Sequence, residues 1–172
     1  MDRYRKSAVE AFEKAETLVR AWLEEECITR VDVYLNGLGD VGDTRCRLKT
    51  DGERKSVHID RNAGSAINKL RGMQALPGRG AWFYSHLWME MPEGVLHQES
   101  DWMCEPDMGF DEVPLGSCKT ELDRYPRDQE FIPDWLRYKV ERWRLERGPV
   151  VARRVAHLEE EFRLEGGKYR YP

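Results

Sequence analysis

Across its 172 residues the chain has no uninterrupted apolar run of membrane-spanning length, no Cys-x-x-Cys pair, no lysine-bearing phosphate loop and, from Gly80 to Cys118, neither Lys nor Arg. The first absence excludes a transmembrane helix, which needs about 20 consecutive apolar residues. Met-Asp-Arg-Tyr-Arg-Lys at the N-terminus runs directly into a helical pattern without an apolar leader core, so the expectation is a cytoplasmic protein. Cys27, Cys46, Cys104 and Cys118 are far apart, and reduced, mostly buried thiols are expected rather than disulfides or a zinc site.

Catalytic patterns are equally scarce. Ser117 follows Gly116 but Gly-x-Ser-x-Gly is not spelled, and a nuclease-like Asp…Glu-x-Lys fails for want of lysine in the acidic segment. Gly37 to Gly42 formally contains Gly-x-Gly-x-x-Gly after a strand pattern. A strand rather than a helix follows it, and Asp40 and Asp43 would repel a pyrophosphate, so a flexible hairpin loop is the expectation. His86 and His97 fall on two strands of one expected hairpin with Glu99 nearby, which leaves a small metal-dependent enzyme as a third reading. Without a further closely spaced ligand, cross-strand packing is the simpler use of these histidines. The expectation is a non-enzyme without metal or cofactor.

What is present is acid and aromatic mass. Glu90, Glu93, Glu99, Asp101, Glu105, Asp107, Asp111 and Glu112 stand among Trp82, Phe83, Tyr84, Trp88, Trp102 and Phe110. Like charges in one segment raise the self-energy of the folded state, yet the same arrangement attracts and orients a basic partner. The expected binding residues are therefore Trp82, Tyr84, Trp88, Glu99, Asp101, Trp102, Asp107, Asp111 and Glu112. A net charge of −4 argues against nucleic acid or an anionic membrane as the partner. Arg137 to Arg154, by contrast, is rich in cations.

Periodicity predicts an α+β fold over one domain, residues 1–172, with a C-terminal helical extension from about residue 144. An amphipathic helix runs from Ser7 to Glu26, with Ala15, Val19 and Leu23 on its apolar stripe. Alternation predicts an antiparallel sheet of about five strands: Cys27–Leu35, Arg45–Lys49, Lys55–Asp60, Gly80–Met91 and Val95–Glu99. Asp51-Gly52 is a strong hairpin turn. In the Trp82 to Met91 strand, Phe83, Leu87, Met89 and Met91 share one face, and Trp82, Tyr84, His86, Trp88 and Glu90 the other. Ser65 is the expected cap of a short helix carrying Ile67 and Leu70, and residues 100–114 form a loop. A short helix over Ser117–Tyr125 precedes one beginning at Pro133, which is expected to pack beside the N-terminal helix on the same face of the sheet. Gly148-Pro149 breaks that helix before a last one bearing Val151, Val155, Leu158 and Phe162.

Gly80-Ala-Trp-Phe-Tyr-Ser, Asp111-Glu-Val-Pro114 and above all Glu121-Leu-Asp-Arg-Tyr-Pro-Arg-Asp-Gln-Glu-Phe-Ile-Pro-Asp-Trp-Leu136 resemble the YezG-type immunity proteins, particularly actinobacterial-like members. The resemblance spans about residues 78 to 137. It implies an antitoxin that binds and neutralises a cognate bacterial polymorphic toxin, often a nuclease, and an α+β fold with no catalytic residues. The alternative is a regulatory or structural module for another basic protein.

Overall fold

The computed structural model describes residues 2–50, 53–56, 58–109 and 112–147. Helix α1 (Asp2–Glu25) leads into strands β1 (Arg30–Leu38), β2 (Val41–Thr50) and β3 (Glu53–Ser56); α2 (Arg61–Met73) follows, then β4 (Tyr84–Glu90), β5 (Leu96–Asp101) and α3 (Leu115–Arg124). A 3-10 turn at Gln129–Phe131 precedes a further helix, α4, over 134–147. The five strands form one antiparallel sheet in the order β3-β2-β1-β4-β5, bearing out the α+β class. Among the described residues no helix is long and apolar enough to cross a membrane.

The period-2 pattern of β1 sends Val31, Val33 and Leu35 to one side, in register with Leu48 and Cys46 of β2 and with Met89 and Leu87 of β4. Helices α1 and α2 cover that side, contributing Ala15, Val19 and Leu23, and Ala63, Ile67 and Leu70. Each fully buried Leu, Ile or Val there contributes about 1.5–3 kcal/mol of transfer free energy. Helix α4 does not share this cluster. Its Leu136 and Val140 pack with Leu38, Phe83, Met108, Val113 and Cys118 in a second core. Leu38 ends β1 and Phe83 precedes β4, so this core lies at the end of the sheet where β1 turns into β2.

Several boundaries move for identifiable reasons. Cys27 adopts φ 51° and closes the C-terminus of α1, with the Ile28 N–H donating to the Leu23 carbonyl, so β1 begins three residues later than alternation suggests. Asp60 rather than Ser65 caps α2, its carboxylate accepting from the N–H groups of Asn62 and Ala63 at 2.8 and 2.9 Å. The third strand correspondingly ends before Ile59, while the Asp51-Gly52 turn lies outside the described residues. Also outside them are Gly148-Pro149, the stripe from Val151 to Phe162 and most of the expected C-terminal extension.

The glycine-rich stretch is a hairpin, as expected, but most of it lies in the paired strands and the turn itself is short. Leu38 pairs with Val41 across a two-residue turn of Gly39 and Asp40. Gly39 sits at φ 59°, its N–H donates to Glu121 Oε2 at 2.7 Å, and its carbonyl accepts from Arg124 Nη1 at 2.9 Å. A Cβ there would lie 2.4 Å from the Ser117 carbonyl oxygen. Gly39→Ala therefore meets both a left-handed backbone and a backbone clash, and is expected to cost about 1–3 kcal/mol in urea unfolding. An unchanged unfolding midpoint would show that the turn is not held against α3.

Candidate protein-docking face

Beyond its Leu38 end, where α3 and α4 pack, no described helix enters the contacts on the sheet's second side. Alternation places Arg30, Asp32 and Tyr34 of β1 there, beside Arg45, Arg47 and Lys49 of β2, Tyr84, His86 and Trp88 of β4, and His97 and Glu99 of β5. Cross-strand register brings the rings together. Tyr34 and His86 stack with centroids 4.5 Å apart and planes 8° apart; His86 meets Trp88 at 4.9 Å, and Trp88 stacks on His97 at 5.2 Å. The Arg47 guanidinium lies 5.5 Å from the Tyr34 centroid, on the β2 side. A continuous aromatic band thus crosses three strands and ends on a cation, with each ring half-buried.

Asp32 holds the middle of this face. Its carboxylate accepts from Arg30 Nη2 at 2.9 Å and lies 3.1 Å from His86 Nε2. The Arg30 hydrogen bond is the main reason its pKa falls below the ordinary aspartate value. In the metal reading His86, His97 and Glu99 would converge. Instead His86 faces Asp32 and His97 lies flat on Trp88, and among the described residues no group of three His, Cys, Asp or Glu side chains could hold a metal ion.

The expected binding residues separate into three groups. Tyr84, Trp88, Glu99 and Asp101 do lie on the open face. Trp82 does not: at 1% exposure it is part of the core beneath α1 and α2, its indole N–H donating to Gln74 Oε1 at 2.8 Å. The strand pattern breaks just before β4, so Trp82 and Phe83 enter two different cores instead of opposite faces of one strand. Trp102 is also turned to the helix side, packed on that core with the Arg79 guanidinium 4.5 Å from its ring centroid. Asp107 and Glu112 lie in the loop, and Asp111 is outside the described residues.

Most of the segment's acids are neutralised within the chain. Glu90 pairs with Arg30 at 3.3 Å, Glu105 with Lys139 at 3.2 Å and Asp107 with Arg45 at 3.5 Å. Glu112 takes both Lys139 at 3.0 Å and Arg142 at 2.7 Å, and the Lys139 hydrogen bond leads in lowering its pKa. Asp101 accepts from the N–H groups of Met103 and Cys104. Among the described carboxylates of the segment, Glu93 and Glu99 have no such partner. The local excess of acid in the sequence is thus largely cancelled by cations brought from β1, β2 and α4.

No protein-family model matches this chain, and neither does any curated protein. The YezG-like segment can still be placed in the fold. Its Glu121 is fully buried, receives Arg71 Nη2 at 2.8 and 2.9 Å, and lies 3.6 Å from Arg127 Nη2. Arg127 donates to the carbonyls of Trp102, Phe131 and Ala81 and stacks on Phe83 at 4.2 Å; Tyr125 receives Arg71 at 4.9 Å. Trp135 is half-buried, edge-on to Phe83 at 4.9 Å, with its N–H on the Met103 carbonyl at 2.8 Å. These residues tie α2, α3 and the loops at the sheet's end together and do not form a surface. Tyr34, Arg47 and Lys49, absent from the expected set, are the face's main additions. Their outward alternation was available, but their neighbours depend on strand register.

Proposed function

We propose that this chain is a binding protein of the immunity type, an antitoxin that neutralises a cognate bacterial toxin, a nuclease acting in the cytoplasm, by docking it on the open side of the sheet. The observation that carries this reading is the half-buried aromatic band Tyr34–His86–Trp88–His97, whose ring contacts are with one another and with no described helix. Rigid rings with two side-chain torsions lose little conformational entropy on association and dominate protein interfaces. A basic toxin surface would meet the β5 side, where no cation among the described residues pairs with Glu99 and Asp101 lies on the same face. The resemblance of residues 78 to 137 to YezG-type immunity proteins supplies the toxin as partner.

The test is coexpression with candidate nuclease toxin domains, taken first from any toxin gene found next to this one. Cells should survive, the two proteins should copurify, and hydrogen exchange should slow in β1, β4 and β5 on complex formation. Protection confined to α1, or a complex mapped to the exposed side of α4, would refute docking on the sheet.

A further inference from the structure

The open face is electrically two-sided, and its cationic side has no assigned role. Arg47 and Lys49 project from β2, both exposed; among the described residues no carboxylate pairs with either, and the Arg47 guanidinium lies over the Tyr34 ring. Together with Arg30, Asp32, Tyr34 and His86 they line a hollow of about 240 Å³. Three cations stand there against one carboxylate. That carboxylate is already engaged by Arg30 and His86, so it does not satisfy the other two cations. At the opposite margin β5 carries Glu99, which no cation among the described residues pairs with.

We infer that this hollow seats a carboxylate side chain of the docked protein, held by Arg47 and Lys49 beside the Tyr34 ring, so that the partner is bound in one orientation with its acid over β2 and its cations over β5. This rests on the docking reading above and extends it to the partner's chemistry. A planar guanidinium and an ammonium about a shallow hollow match a carboxylate, and an aromatic wall excludes water from the pair. Charges of opposite sign at the two edges make the reversed orientation repulsive at both ends.

The occupant is protein and not a nucleic-acid strand, for two reasons. Single strands bind by laying bases on free ring faces. Here Tyr34 is covered by His86 and flanked by Arg47, and Trp88 is covered by His97. A polyanion crossing the sheet would also run from the cations of β2 onto Glu99 and Asp101.

Two measurements on the full chain decide the matter. In the first, the peptide acetyl-Tyr-Glu-Tyr-Glu-Tyr-amide is titrated while the Arg47 Nε–H and the Tyr34 and His86 ring resonances are followed. Saturable shifts at these groups, lost in Arg47→Glu and with a peptide carrying Gln for Glu, are expected. Linear, unsaturable shifts would overturn the seat, as would oligothymidylate binding more tightly at the same residues. In the second, Arg47→Glu and Lys49→Ala are compared with Trp88→Ala for affinity to the cognate toxin. Arg47→Glu is expected to weaken binding by about tenfold or more and Lys49→Ala by less, since truncating one side of a close charge pair across an interface is costly. If Trp88→Ala weakens binding while both charge variants leave it intact, the docking face stands and the carboxylate seat falls. If all three bind like the parent protein, the docking reading itself fails.

Discussion

Replacing Glu121 with alanine should destabilise the fold by about 3–5 kcal/mol, enough to lower the melting temperature by roughly 10 °C. The carboxylate is wholly buried and receives Arg71, the Gly39 N–H and, at longer range, Arg127. Burial already pulls the Arg127 guanidinium below its ordinary pKa, and Glu121 is the chief group opposing that shift. Removing it leaves two guanidinium groups in the interior with one carboxylate fewer, and leaves the Gly39 N–H without its acceptor while Arg124 alone holds the tip of the β1–β2 turn. A buried ion network can often be replaced whole by apolar groups at little cost. Such an exchange is not expected to succeed at this site. Arg127 also satisfies the carbonyls of Ala81, Trp102 and Phe131, and an apolar residue would orphan all three. Urea unfolding of Glu121→Ala, and of the triple variant Arg71→Met/Glu121→Leu/Arg127→Met, should therefore give a loss in both. A triple variant as stable as the parent would show that the carbonyls are satisfied without Arg127.

The same network marks where sequence reading stops. Arg71 lies 50 positions from Glu121, and nothing local to either signals the other. Elements governed by local rules were legible: the stripe of α1, the antiparallel hairpins, the Pro-delimited start of α4. Those decided by competition between neighbours shifted. Asp60 capped α2 in place of Ser65, and Cys27 ended α1 in place of starting a strand. The site was half legible. Alternation turned Tyr84 and Trp88 outward, and Glu99 and Asp101 lie beside them, Asp101 because β5 runs two residues past its expected end at Glu99. Extending the alternation back through Trp82 failed because the chain leaves strand geometry there. Counting charge along residues 80 to 118 found a one-signed segment. Folding cancels much of it through pairs such as Glu112 with Lys139 and Asp107 with Arg45, whose partners lie 27 and 62 positions away.

Trp88→Ala should weaken binding of the proposed toxin partner by about 2–4 kcal/mol while lowering stability far less, because the side chain is only half-buried and its contacts are to other face residues. Loss of the indole removes the ring between His86 and His97, so the band is interrupted at its centre, where interface energy concentrates. The change should appear mainly in the dissociation rate, since diffusion and steering set association and the face charges are untouched. Trp135→Ala is the informative contrast. Trp135 packs edge-on against Phe83 in the second core and anchors the Met103 carbonyl, away from the open face. It should cost about 3 kcal/mol of stability and leave the affinity of the remaining folded protein near that of the parent. Calorimetric binding and thermal melts on both variants give four numbers, and the prediction is their opposition. Should Trp135→Ala abolish binding at unchanged stability while Trp88→Ala binds normally, the Glu121 to Leu136 segment would be the interface and the aromatic band a packed surface.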